Sequence, residues 1–400
     1  METQQEDLTP DFLRMDGPSG TATQSGENGN AQSMGWPSRN AAQPKTIIDD
    51  QGRVTRVRTP VLDLEGLMTP THLFYVVQHF AVPEPVAPEA WRLTVDGAVR
   101  RPLELTYDTL RRFPGRTVRT VMECSGSDAD YFEHFKGVGP KPVRREQQMI
   151  LSAGEFTGVP LAAVLEQAGL APRARYIRVE GWDRGLPGNA APGTLPAEPF
   201  YYDKALPVEK ALHPDTILAW AMNGELLEHL HGAPVRLVVP GWSGNWSVKW
   251  VRRIELSEQE PDCWYHYNFY YYGNSPTDPN KELITTIGVK SIVTFPRDDQ
   301  RTLPRGTHVI RGRAWSGGGA ITNVEVSVDG GETWHVAHLE EPRERWMWVR
   351  WSYVWEAQPG RYHIMSRATD EVGRVQPREP RYNNMRKNFN AIVGYELTID

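Results

Sequence analysis

A chain of 400 residues leaves room for two or three domains and a sizeable core. Its net charge of −6 supplies no basic field to neutralise phosphates, which argues against a nucleic-acid partner. Two cysteines, without a Cys-x-x-Cys or a Cys/His cluster, support neither a disulfide framework nor a zinc site nor a redox dithiol.

No apolar run approaches the length of a membrane-spanning helix, so no membrane partner is expected. Glu2 follows Met1, and no basic-then-apolar segment or twin-arginine pair is visible; the expected compartment is cytoplasmic. Residues 1–45 are Gly, Ser, Asn, Gln, Thr and Pro with few large apolar side chains. They cannot bury enough surface to offset ordering entropy and read as a disordered tail.

Order begins near Thr46, where Thr46-Ile47-Ile48 is a strand candidate. Residues 73–83 are apolar with His79 near the far end, and Pro83, Pro85 and Pro88 then force an extended linker. Residues 91–99 alternate around Asp96-Gly97 and predict a hairpin turning there. Thr106 caps a short helix through Arg112, stopped by Pro114. Val118, Thr120 and Val121 form a strand running into Glu123-Cys124-Ser125-Gly126. A strand followed by Cys and small residues presents a thiol at a strand end, although a lone cysteine is by default a small buried hydrophobe.

Residues 136–145 form a basic, Gly/Pro-broken loop, suited to a docking partner or simply to solvent. Residues 161–170 predict an amphipathic helix closing at Gly169, residues 176–180 a strand and residues 208–212 a short helix. Residues 231–240 read as a buried strand led by His231 and Arg236. Residues 241–250 follow as a Gly-rich polar loop ending in Lys249-Trp250; its backbone N–H groups, flanked by Arg236 and Lys249, are a candidate cradle for an anion such as phosphate. The aromatic run 263–273 either closes a pocket or pads a seam between domains. From residue 282 the pattern is wholly β, with turn signals at short spacing, and argues an immunoglobulin-like sandwich. Ser327-x-Asp329-x-Gly331-x-Thr333-Trp334 occurs once, without the repeat a propeller needs, and predicts a hairpin.

The pieces MECSG, FTGVPLAAVLEQAGL, LAWAMNGELL, HGAPVRLVVPGWSGNWSVKWVRRIEL, VKSIVTFP, RGRAWSGGGAITNVEVSVDGGETW and NFNAI occur in one order. Together they resemble the sulfite oxidase family of molybdopterin enzymes, most of all its bacterial sulfite and sulfane dehydrogenase branch, over residues 46–400. The resemblance implies an α+β molybdopterin-binding catalytic domain (46–262), an aromatic connecting segment (263–281) and an all-β immunoglobulin-like dimerisation domain (282–400), hence a homodimer. It implies a molybdenum–molybdopterin cofactor whose metal is held by the Cys124 thiolate, a soft donor suited to a redox metal. His79, Ser125, His231, Arg236, Ser243, Asn245, Trp246 and Lys249 match the family's cofactor pocket, and Tyr271 falls where an active-site tyrosine is expected.

Three departures bear on the substrate. Vertebrate-type sulfite oxidases carry an arginine two residues before the histidine matching His79, where this chain has Val77. Their motif after the cysteine continues Ala-Gly-Asn-Arg-Arg, against Ser125-Gly126-Ser127-Asp128-Ala129 here, with Asp130 next. Their C-terminal pocket arginine aligns with Gly394. Asp128 and Asp130 would oppose a dianion, and Arg144, Arg145 or Arg184 are candidate replacements.

The expected activity is oxygen-atom transfer on a small sulfur-centred substrate, sulfite first, with electrons leaving to an external acceptor such as a c-type cytochrome. The alternatives are reduction of an S-oxide, N-oxide or nitrate, and a sulfane dehydrogenase acting on carrier-bound sulfur, with the basic loop as docking face. A metal-free dimeric scaffold is the non-enzymatic alternative. Relatives of this kind are commonly exported, which makes the periplasm the alternative compartment.

Overall fold

The computed structural model describes residues 45–48, 54–137, 149–188, 190, 193–297 and 300–400. The tail, apart from Lys45, lies outside the described residues, as does the basic loop from residue 138 onward, including Arg144 and Arg145. None of the described helices is long and apolar enough to cross a membrane.

The N-terminal half holds an antiparallel sheet and a mixed sheet around one core. The first runs Glu225–Leu226, Ile217–Met222, Leu151–Pro160, Arg116–Glu123, with Arg236–Val238 also pairing to Ile217–Met222. The second runs Leu103–Thr106, Arg92–Gly97, Val251–Ser257, Tyr176–Gly185, Phe200–Pro207. Val159, Leu218 and Leu237 of the first sheet join Trp91, Leu93, Ile177, Val179, Val251 and Ile254 of the second in a common core. The helix Leu161–Ala168 buries Leu161, Val164, Leu165 and Ala168 against it. Because side chains alternate along a strand, Phe156, Ile217, Ala219 and Val238 point to the opposite face, where they meet Phe74, Tyr75, Met122 and Cys124.

The residues 92–106 form the expected antiparallel hairpin, but its turn is not at Asp96-Gly97. Both residues are still paired with Glu255 and Leu256 of the parallel neighbour, and the chain reverses only after them. Gly97 is required there by contact: at φ 81°, an added Cβ would lie 2.2 Å from the Leu256 carbonyl oxygen. The helix Tyr107–Arg111 begins as expected at Thr106, whose hydroxyl and that of Thr109 cap each other's backbone N–H.

The C-terminal half is a sandwich of two sheets. One runs Lys290–Phe295, Gly306–Trp315, Val349–Ala357, His338–Leu339; the other runs Thr302–Leu303, Tyr395–Ile399, Gly360–Asp370, Ile321–Ser327, His335–Val336. Val293, Ile310, Trp351, Val324, Val326, Ile364 and Leu397 close the space between them. The Asp329 turn is the predicted hairpin: its carboxylate accepts the Glu332 N–H (3.0 Å), the Thr333 N–H (2.9 Å) and the Thr333 hydroxyl.

Candidate active site

Cys124 stands where the strand Arg116–Glu123 ends. That strand is paired along its full length with Leu151–Pro160, from Arg116 opposite Gly158 to Glu123 opposite Leu151. Cys124 N donates to Ile150 O at 2.9 Å, extending the ladder by one bond, and Ser127 N closes back on Cys124 O at 2.8 Å. The chain then turns through Asp128, at φ 59°, into the helix Asp130–Phe135. Tyr131 and Phe132 of that helix pack on Phe389, with ring centroids 5.3 and 5.4 Å apart. The thiol is buried and sits at a rigid strand end with both flanks tied down.

Ser125 and Ser243 hydroxyls both donate to Asn245 Oδ1, at 2.9 and 2.6 Å, joining the cysteine loop to the Gly-rich loop. This leaves Asn245 Nδ2 buried without a partner. Arg236 reaches the same region because it shares a strand face with Val238. Its guanidinium donates to His231 O (2.9 Å) and Ser247 O (3.2 Å), has no carboxylate partner among the described residues, and keeps Nε buried and unbonded. Burial lowers this guanidinium to about 10, so it remains charged at neutral pH. Lys249 donates to Leu230 O at 3.1 Å, using one of its three protons. Lys249 and Asp183 share the cavity wall, each pushed toward its neutral form by burial. Burial, assisted by Arg236 and Lys249, takes the His231 imidazole down to about 3, so it is neutral.

These groups line a cleft open to solvent, bounded by Tyr75, Val77, His79, Tyr202, His231, Arg236, Asn245 and Lys249 among others. His79 stacks on Tyr202 (4.6 Å) and is hydrogen-bonded through Nε2 to the Tyr270 hydroxyl. Burial, reinforced by Lys204, Lys387, Lys249 and Arg56, holds His79 well below its ordinary pKa. Burial, and next the Cys124 sulfur, pushes the Tyr270 hydroxyl well above its own.

The geometry corrects several sequence expectations. Tyr271 pairs with Leu283 and lies against Lys281, whose ammonium is 5.8 Å from its ring centroid. Consecutive side chains of extended backbone point to opposite sides, so it is the preceding Tyr270 that meets His79. Trp246 is wholly buried in the core, donating to Ile284 O at 3.0 Å, and does not line the cavity. The backbone cradle is partly closed: the N–H groups of Trp242, Ser243, Trp246, Ser247 and Val248 donate to backbone carbonyls, while Gly244 and Asn245 line the cavity beside the side chains of Arg236 and Lys249.

Arg184 is exposed and donates to Pro199 O. Gly394 abuts His363 and Met365 in a separate groove, away from Cys124. Asp128 does not oppose an anion, because the buried Lys290 ammonium is bonded to it. Asp130 bears on Arg58.

Other residues join the site without having been singled out in the sequence. Lys204 is fully buried, its Nζ without a hydrogen-bond partner and 4.3 Å from the Tyr270 ring centroid. Lys387 lies beside the thiol: a methyl group at Gly126 would meet Lys387 Nζ at 3.6 Å and Cys124 Sγ at 3.9 Å. A lysine beside the matching NFNAI piece was the available signal for Lys387; nothing local marked Lys204.

Among the described residues no group of three His, Cys, Asp or Glu side chains gathers as a metal site. A metal at Cys124 must therefore bring most of its ligands with it. A pterin dithiolene does so, and its phosphate end fits what the cavity offers: a charged, carboxylate-free arginine with an orphaned Nε, a lysine with protons to spare and an orphaned amide.

Residues 79–265 match the oxidoreductase molybdopterin-binding domain family, and residues 281–394 the Mo-co oxidoreductase dimerisation domain family. The chain is 35% identical over 336 residues to sulfite oxidase of Gallus gallus, covering 78% of this chain and 69% of that protein. It is 33% identical over 354 residues to mitochondrial sulfite oxidase of Mus musculus, covering 84% and 62%. It is 34% identical over 364 residues to nitrate reductase [NADH] 2 of Phaseolus vulgaris, covering 80% of this chain but 38% of that longer protein. The solved sulfane dehydrogenase SoxCD from Paracoccus pantotrophus superposes with a TM-score of 0.75 at 27% identity, covering 93% of each chain.

Proposed function

This chain belongs to the sulfite oxidase family of molybdopterin oxidoreductases, and from that premise we propose that it oxidises a small sulfur oxyanion, sulfite first, passing electrons to a separate acceptor such as a c-type cytochrome. The observation that carries this reading is the half-buried Lys387 ammonium beside the Cys124 thiol, without a carboxylate partner among the described residues. A cation held next to the reactive centre without a counter-ion favours an anion over a neutral oxide.

In this reading Cys124 would hold the metal, Arg236 and Lys249 would hold the phosphate end of the pterin, and His79, Ser243 and Asn245 would complete its pocket. When bound, the cofactor supplies two-electron oxygen-atom chemistry, for which sulfite plus water gives sulfate, two protons and two electrons. The protein's own groups orient and screen. His79 and Tyr270 both stay neutral at pH 7, so their hydrogen bond holds a proton near Cys124 rather than a charge. The layer of Tyr75, Tyr202 and Tyr270 keeps bulk water off the thiol. The C-terminal sandwich, which matches the dimerisation domain family, is the proposed contact of a homodimer.

The test is sulfite-dependent reduction of ferricyanide by protein whose molybdenum has been assayed in the same sample. Saturable turnover supports the assignment, and its absence from fully loaded enzyme refutes it. A second reading, oxidation of carrier-bound sulfane sulfur, is favoured by the 93% mutual coverage with the sulfane dehydrogenase structure. It predicts turnover on a persulfide-charged carrier and none on free sulfite.

A further inference from the structure

We propose that Lys204 is a positioning residue for the His79–Tyr270 hydrogen bond: its ammonium, caged by aromatic rings, keeps the imidazole from taking a second proton, so that Tyr270 remains the donor. This role rests on the cleft beside Cys124 being the active site, and it is the same for sulfite and for carrier-bound sulfane sulfur.

Lys204 lies on the edge strand Phe200–Pro207, directly opposite Val179. Tyr202, Asp203, Lys204, Ala205 and Leu206 are buried in succession, so neither face of this strand meets water there. Side chains alternate along a strand, so Asp203 turns the other way, and its carboxylate is bonded by Arg178 at 2.7 Å. Lys204 is left among rings. Its Nζ is 4.3 Å from the Tyr270 centroid, 5.0 Å from that of Trp246 and 5.8 Å from that of Tyr202. Among the described residues none accepts a hydrogen bond from it. A fully buried ammonium with only cation–π support is costly, and a methionine would fill the same space without that cost. The charge itself is what the site uses.

Two of those rings also hold His79. Tyr202 stacks on the imidazole at 4.6 Å, and the Tyr270 hydroxyl is bonded to its Nε2. A neutral imidazole can accept at Nε2, whereas an imidazolium has donors at both nitrogens and can accept nothing from Tyr270. Lys204 opposes that protonation. Burial comes first in lowering His79, and Lys204 comes next, ahead of Lys387, Lys249 and Arg56.

The order of protonation suits this role. Burial takes Lys204 down to about 7, against the raising effects of Cys263 and Asp203, while His79 stays well below its ordinary value. As pH falls, Lys204 gains its charge before the imidazole can gain one. The titratable and charged groups facing Lys204 are Tyr202 and Asp203 on its own strand, Arg178 on the paired strand, Cys263, His266 and Tyr270 in the aromatic segment, and His79 beyond the shared rings. His266 is lowered by burial and then by Lys204, so it does not take the proton instead.

The experiment is nitrogen NMR of the oxidised, molybdenum-loaded protein labelled in its histidine rings, followed from pH 5 to pH 8, with the His79 signals identified by their loss in His79→Gln. In the parent His79 should stay unprotonated throughout. Lys204→Met is expected to raise its protonation midpoint by about one pH unit or more, and to move the acid limb of the kcat profile up with it while KM changes little. Lys204→Arg, which keeps the cation, is expected to leave His79 unprotonated as in the parent. A folded, loaded Lys204→Met in which His79 titrates as in the parent overturns the proposal. So does a midpoint raised equally in Lys204→Met and Lys204→Arg, which would mark an effect of packing rather than of charge. If Lys204→Met does not fold, Lys204→Gln carries the test with the same expectation and the same overturning result. The imidazole signal is read without turnover, so a raised His79 midpoint in a protein that does not oxidise sulfite would refute the sulfite reading and leave the role of Lys204 standing.

Discussion

Lys290, on the first strand of the C-terminal sandwich, is bonded through Nζ to Glu123 Oε1 at 3.0 Å, the side chain immediately before Cys124. The same ammonium is bonded to Asp128, and Glu123 Oε2 accepts Trp315 Nε1 at 2.8 Å. All four residues are buried. The loop that presents the thiol is thus clamped from the second domain. Burial alone would lower the Lys290 ammonium, but Asp128 and Glu123 outweigh it and lift the lysine to about 12.

Removing that one cation leaves two buried carboxyls unpaired. Lys290→Met should cost about 3–5 kcal/mol in denaturant unfolding and lower the molybdenum content of the purified protein. Because the lysine's pKa rises on folding, its contribution is complete below the unfolded value of 10.5 and fades as pH climbs through about 12. A variant as stable and as fully loaded as the parent would show that the clamp is incidental.

Lys204 shifts in the opposite direction, with burial taking it down to about 7 from 10.5. Between those values the unfolded chain holds a proton that the folded chain has released, so this group adds stability as pH rises from 7 to 10.5. Lys204→Met abolishes that slope. The parent should therefore gain on the variant by a few kcal/mol, to order of magnitude, between pH 7 and pH 10. Parallel stability curves would contradict the assignment of Lys204 as a buried, uncompensated cation.

The two neighbouring tyrosines should separate in kinetics. Tyr270→Phe removes the hydroxyl bonded to His79 beside the thiol and should lower kcat on the order of 100-fold. Tyr271→Phe alters a ring packed on Lys281 and should leave kcat within about twofold. The reverse order would place the site on the other side of the strand.

Arg236→Met should lower pterin and molybdenum content together, by about tenfold or more under limiting cofactor, since the only fully buried guanidinium among the described cavity-lining residues is lost. Equal loading would show that another group holds the anionic end of the pterin.

Much of this site is local in the chain and could be read there. Cys124 follows a β-branched run, and His231, Arg236 and Lys249 lie close in sequence, on a 3-10 turn, the strand after it and the following loop. Spacing alone brought them together. The remainder depends on relations that no local window contains. Lys387 reaches the thiol through a C-terminal segment pinned to Ser125 O. Three tyrosines in succession leave one step of rotation undecided: the resemblance points to Tyr271, and the structure brings Tyr270 to His79. Glycine and serine in a loop signal available N–H groups, but here those of Trp246, Ser247 and Val248 are taken by the loop's own carbonyls and that of Ser243 by Thr285 O. Acidic residues beside the cysteine read as repulsive until Lys290, from another domain, neutralises Asp128.

The most direct measurement is molybdenum-edge X-ray absorption on the parent and on Cys124→Ser, with the oligomeric state recorded for both. If Cys124 is the protein's ligand to the metal, the variant should show one fewer sulfur around molybdenum, lose turnover and keep the parent's oligomeric state. An unchanged sulfur count in a folded, loaded variant would contradict the site as built here.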